Sequence, residues 1–217
     1  MTVVNIVQTR HAVKAFRPDR QLKPEQITAL KTAMRFSPSS INSQPWHFIL
    51  AVTDEGKSLI SQATGDEYPF NTPKILNASL VVALCARKDL PESYLQTILQ
   101  QEEADGRFPT PEARAMQDKN RHYYVDLHRY KNNDMPAWIQ HQVYLALGGL
   151  LMAAAVEEID ACPIEGFNSG RLDQVLGLED KGLTSVVLVA LGTRSDEDFN
   201  AALPKSRLPE DVVFSEI

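Results

Sequence analysis

Valine, leucine and alanine collect in three short runs along the chain: "WHFILAVT" from Trp46, "SLVVALCA" from Ser79 and "TSVVLVALG" from Thr184. Short apolar runs of this kind predict buried strands. A further strand is expected to end at "CPIEGF", residues 162–167, where Pro163 and Gly166 fix a turn around Glu165. Elsewhere the apolar positions follow helical spacing. In "KPEQITALKTAMRFSP", Pro24 and Glu25 mark a helix start, Ile27, Leu30 and Met34 share one face, and Pro38 stops the run. "PESYLQTILQQEEADG" and "TPEARAMQDKNRHYYVDLHRY" each open on a proline, and the second places Met116, Tyr123, Leu127 and Tyr130 along one stripe.

The segment from Ala137 to Val156 contains no Asp, Glu, Lys or Arg. Its uninterrupted apolar run is shorter than the roughly 20 residues a membrane span needs, and Gln140, His141 and Gln142 precede that run, so a buried helix is expected. A helix apolar all round must be covered all round. Either the chain's own elements or a second subunit could do so, and the pattern alone favours neither. The ending "VVFSEI" reads as a short strand without a local partner, expected to lie on a neighbour.

No repeat or long linker divides residues 1–217, which read as one domain. The net charge of −6 argues against nucleic-acid and anionic-membrane partners. The start of the chain lacks a basic leader pattern, which predicts a cytoplasmic protein. Cys85 and Cys162 read as buried thiols, and no ligand spacing predicts a metal site.

Chemistry concentrates in separated stretches. Arg10, His11 and Lys14 in "RHAVK" and Lys205 and Arg207 in "PKSR" are two basic clusters. Either alone reads as solvated surface charge; together they could hold one phosphate, which arginine grips bidentately. "YPFNTPK" offers Asn71 and Lys74 from a proline-stiffened loop, a combination suited to a planar heterocycle. "SPSSINSQPW", residues 37–46, crowds four serines, an asparagine and a glutamine into ten positions. There is no GxGxxG, no phosphate-binding P-loop and no GxSxG, so a nucleotide would have to be held by side chains and irregular loops.

Taken together, "RHAVKAF", "SPSSINSQPWHF", "FNTPK", "DGRFPTPEA", "PIEGF" and "NAALPKSRLP" resemble the nitroreductase family of flavoproteins from Arg10 to the C-terminus. The resemblance implies an α+β sandwich, a mainly antiparallel central sheet flanked by helices, in an intertwined homodimer with one tightly bound FMN at each of two interface sites. It implies that Arg10, Lys205 and Arg207 hold the FMN phosphate beside His11, Ala12, Val13 and Ser206. Lys14, Asn71 and Lys74 would border the pyrimidine edge of the flavin, where negative charge develops on reduction. The backbone of Pro163, Ile164, Glu165 and Gly166 would approach N5, while Ser39 and Asn42 would reach the flavin from the other subunit.

Ile41, Arg107 and Tyr124, with Lys14, Asn71 and Lys74, would meet the substrate. Ala12, Ile41 and Tyr124 stand where the family pattern has serine, threonine and phenylalanine, which bears on substrate range. The activity so implied is ping-pong transfer from NADH or NADPH to nitroaromatics, quinones or dihydropteridines, with no side chain as nucleophile. A general flavin reductase and a non-catalytic flavin-binding sensor are the competing expectations.

Overall fold

Two neighbouring strands are buried along nearly their whole length, and the architecture follows from covering both their faces. In the computed structural model, which describes residues 2–217, these are β2 (Leu80–Arg87) and β4 (Leu183–Gly192). With β1 (Trp46–Ala51) and β3 (Asp160–Ile164) they form a four-stranded sheet in the order β1-β2-β4-β3. Every pair is antiparallel. The register slips between Leu84 and Cys85, and Asp173 satisfies the backbone there by accepting from the Ser185 amide at 2.7 Å and the Thr184 hydroxyl at 2.7 Å.

Side chains alternate across a strand, so β2 sends Leu80, Val82, Leu84 and Ala86 to one face and Val81, Ala83 and Cys85 to the other. The first face packs on α2 (Pro24–Arg35) and α7 (Met135–Val156), joined by Leu95 of α5 (Glu92–Ala104) and Val125 of α6 (Pro111–Asp126). The second packs on Ile60 of α3 (Asp54–Ser61), Ile75 of α4 (Thr72–Asn77) and Leu172 of α8 (Ser169–Leu176). Short helices α1 (Val3–Thr9) and α9 (Glu210–Val213) stand near the two ends of the chain. The result is the expected α+β sandwich, with its sheet wholly antiparallel. Cys85 and Cys162 are both free and buried, as expected.

Helix ends follow their caps. Pro24 sits in the first turn of α2, where its missing N–H costs no bond, and Gln26 accepts from the Lys23 amide at 3.0 Å. Thr110 caps α6 by accepting from the Ala113 amide at 3.2 Å. The expected stripe is not the buried face: Met116 and Tyr123 of α6 and Tyr130 beyond its end are largely exposed, and the helix buries Arg121 and Val125 instead. Arg121 can go inward because α5 supplies a buried carboxylate, Glu102, 2.7 Å away.

α7 is covered on one side only. Trp138, Ile139, Val143, Ala146, Leu150 and Ala154 are buried, whereas Tyr144, Leu145 and Val156 are 40, 50 and 60% exposed. By length and composition this helix could cross a membrane, yet its buried side packs on α2 and the sheet. The strand expected in "VVFSEI" is absent: residues 210–213 form one helical turn, and the residues after it are exposed and irregular. A strand needs a neighbour for its backbone groups, and the chain offers this segment none.

Gly192 closes β4 where a Cβ would lie 3.1 Å from the Ser79 amide nitrogen and 3.3 Å from the Phe16 ring. Neither backbone nor buried ring can step aside freely. Gly192→Val is expected to destabilise the fold by about 1–3 kcal/mol through overpacking, read as a lower urea midpoint with an unchanged slope.

Candidate functional site

The N-terminal arm is laid against the end of the sheet by its backbone, which frees its charged side chains. Ala12 bridges Ala161 of β3, Phe16 bridges Arg194, and the Val13 amide donates to the Ala161 carbonyl at 3.1 Å. Val13 and Phe16 are buried pegs. Asp198, itself buried, takes both the Lys14 amide at 2.8 Å and His11 Nε2 at 2.8 Å, while Asn200 donates to the Ala12 carbonyl at 2.8 Å.

This anchoring gathers the two basic clusters from opposite ends of the chain. Arg10, His11, Ala12, Lys205, Ser206 and Arg207 share the lining of a cavity of about 360 Å³. Lys205 donates to the carbonyls of Val7 and Arg10. Burial lowers the pKa of Arg10 and the charge of Arg207 adds to it; Lys205 is lowered by burial and then by Arg10 and Arg207. Among the described residues, none of the three pairs with a carboxylate. Three cations held in mutual repulsion without a counter-charge are suited to an anion, and a phosphate would supply the acceptors.

A second group forms beside β3. Asn71 is buried, donates to the Gly166 carbonyl at 2.8 Å and accepts from Lys74 Nζ at 2.7 Å. A Cβ on residue 166 would meet Asn71 Nδ2 at 2.7 Å and Tyr68 Cδ1 at 2.9 Å, so only glycine permits this approach. The pKa of Lys74 is lowered chiefly by burial, and Lys14 contributes in the same direction. Pro163 and Ile164 belong to β3, and Ile164 points into the core, which leaves its backbone as its contribution to the site. Glu165 accepts the Tyr144 hydroxyl at 2.6 Å.

The serine-rich loop is a strained one. Ile41, Asn42 and Gln44 hold φ of 50°, 54° and 44°, and each such non-glycine residue costs about 1–3 kcal/mol unless its surroundings impose it. Here they do: Ser39 Oγ accepts from the Gln44 amide at 3.0 Å, Tyr94 donates to the Gln44 carbonyl at 2.6 Å, and Gln142 accepts from the Ser40 amide at 2.9 Å. Asn42 donates to Glu102 at 2.8 Å. Arg107 is exposed, as is Tyr124, whose ring meets Tyr123 edge-on at 5.3 Å. Arg121 of α6 donates to the Ile41 carbonyl at 3.4 Å, so within one chain the loop is tied to α5, α6 and α7, and among the described residues no hydrogen bond joins Ser39, Ile41 or Asn42 to the cationic cavity or to Lys74.

Comparison with known proteins places this arrangement. The model of the Nitroreductase family matches residues 7–193. The chain belongs to that family. It is 46% identical over 217 residues to the oxygen-insensitive NAD(P)H nitroreductase of Salmonella typhimurium, with 100% of each chain covered. It is 32% identical over 213 residues to the major NAD(P)H-flavin oxidoreductase of Aliivibrio fischeri, covering 97% of each. Among solved structures, a nitroreductase in complex with FMN from Exiguobacterium sibiricum superposes with a TM-score of 0.85 at 21% identity, covering 100% of this chain and 98% of that one, which supports the shared fold.

The motifs point to the cations of this candidate site but not to what orients them. Asp198 lies in "SDEDFN", where three acids stand together and only the fold shows which turns inward. Tyr144 was hidden in an apolar helix. Its hydrogen bond to Glu165, followed by burial, pushes the phenol up to about 12 from 10.0. A raised folded pKa means the bond's contribution is intact below the ordinary value and is lost as pH climbs through about 12. Spectrophotometric titration of the wild type minus Tyr144→Phe should therefore show one phenol ionising near pH 12, whereas a midpoint near 10 would show the bond is not made.

Proposed function

We propose that this member of the nitroreductase family is an FMN-containing, NAD(P)H-dependent oxidoreductase that works as a homodimer in the cytoplasm, residues 1–217 acting as one unit. The observation that carries the reading is the cavity in which Arg10, Lys205 and Arg207 converge without a carboxylate partner. The donors fit FMN: charged forks for a phosphate at one end, and an amide with two lysines at Asn71, Lys74 and Lys14 for a heterocycle at the other. When bound, FMN supplies two-electron hydride uptake from NAD(P)H and delivery to an acceptor.

The chain's residues then have simple tasks. Arg10, Lys205 and Arg207, with Ser206 and His11, hold the phosphate. Lys74, fixed by Asn71, and Lys14 place positive charge where negative charge develops on reduction, in a half-buried setting that screens it less than water would. Pro163, Ile164, Glu165 and Gly166 offer backbone to the ring, and Gly166 makes that approach possible. No side chain acts as nucleophile; donor and acceptor use one open site in turn, and solvent supplies protons. Nitroaromatics, quinones and dihydropteridines are the acceptors, met by Ile41, Arg107 and Tyr124.

The dimer follows from the uncovered side of α7. Tyr144, Leu145 and Val156 there, with Val3 and Val4 of α1, are exposed apolar side chains of the kind a partner surface covers. A second copy laid on that face would bring its Ser39 and Asn42 to the flavin and complete the site. The exposed Val212, Val213 and Phe214 would lie on the partner, where α2 and the free edge of β1 frame a groove of about 430 Å³ lined by Met34, Trp46, Phe48 and Leu50. A second reading, a flavin reductase that releases reduced flavin, draws on the similarity to the Aliivibrio fischeri enzyme. Relative turnover with free FMN and with a nitroaromatic separates the two.

The purified protein should show flavin absorption that bleaches on adding NADH or NADPH without oxygen. Flavin that stays oxidised, or protein that binds none when FMN is added, would sink the reading. Arg207→Ala should weaken FMN binding about 10- to 100-fold, the equivalent of the 1.5–3 kcal/mol typical of a hydrogen bond to a charged group, measured by quenching of flavin fluorescence.

A further inference from the structure

We propose that Glu102 and Arg121 are positioning residues: their buried ion pair sets the strained 39–44 loop and docks it on α6, fixing the acceptor side of the site. The inference rests on the reading above in giving that loop and Tyr124 to the acceptor, but its structural part stands on the chain alone. Glu102 is 2% exposed and Arg121 0% exposed, and their side chains meet at 2.7 Å. From this pair two bonds run to adjacent residues of the loop. Glu102 Oε1 accepts from Asn42 Nδ2 at 2.8 Å, and Arg121 Nε donates to the Ile41 carbonyl at 3.4 Å.

Both residues hold positive φ, and isoleucine, branched at Cβ, does not hold that conformation unaided. Stability alone does not account for the pair. Buried ion pairs are often no better than well-packed apolar residues of the same volume, and Arg121 Nη1 has no hydrogen-bond partner among the described residues. What the pair supplies is geometry. It ties α5, α6 and the loop together through buried charges, and Arg121 sits three residues from Tyr124 on the same helix.

Two variants test this. Glu102→Gln keeps an acceptor for Asn42 but removes the charge facing Arg121; the double variant Glu102→Leu with Arg121→Met replaces the pair by apolar groups. In apoprotein, hydrogen exchange at the amides of Ser40, Ser43 and Gln44 should quicken by about tenfold or more in both. In the flavin-loaded protein, KM for a nitroaromatic and KM for NADPH, which share the open site, should each rise by about tenfold while kcat stays within about twofold. Folded variants with wild-type exchange and KM would overturn the proposal, as would loss of the fold in both, which would assign the pair to stability. Failure of the wild type to bind or reduce flavin would instead strike the function proposed above, and the exchange measurement would still judge the loop.

Discussion

The pairing of β2 with β4 is the constraint from which the site descends. Both strands are buried on two faces, so each needs helices above and below, and the sheet can continue only sideways, to β1 and β3. β4 ends at Gly192, close against Ser79 and Phe16, and the chain leaves the sheet where the N-terminal arm lies. Backbone bonds from Arg17 to Thr193 and from Ser195 to Ala15 stitch the two segments together. Arg10 therefore comes near residues 205–207 by sheet topology, and the charges need no attraction of their own to meet. That matters, because they repel.

A site built from repelling cations must be held by something else. Asp198 does much of this, taking the Lys14 amide and His11 without neutralising Arg10, Lys205 or Arg207. The backbone fixes position and the charge is left unspent for a ligand. The same division appears at Asn71, whose amide is committed on both sides, to Gly166 and to Lys74, so that the lysine is aimed as well as charged. Preorganised charge of this kind is worth more than mobile surface charge because little is reorganised when an anion arrives.

Sequence reading succeeded where one physical signal dominated. The runs at Trp46, Ser79 and Thr184 became β1, β2 and β4, and the proline-led segments became α2, α5 and α6, the last ending four residues short of Tyr130. It failed where burial depends on a partner. Tyr123 and Tyr130 looked like a core stripe, but Glu102 made it possible to bury Arg121 and turned α6 the other way. "VVFSEI" looked like a strand, but a strand is a property of a pair. In the site, Arg10, Lys205, Asn71 and Lys74 were legible as charge and amide chemistry. Asp198, Glu102 and Tyr144 were not, because the direction in which an acid or a phenol points is set by contacts more than 20 residues away in sequence.

The open face of α7 and the strained loop are two aspects of one arrangement. Gln142, on the buried side of α7, accepts from the Ser40 amide, while Tyr144, two residues on and pointing outward, donates to Glu165. One helix thus touches both the loop and the 163–167 turn from different sides. In the dimer proposed above, a subunit packed on its outer face would press against Tyr144 and fix that turn, while the inner side of the same helix holds the loop that each subunit would lend. In a two-fold arrangement each helix would do both for two sites at once, so the stability of the interface and the geometry of the site would rise and fall together.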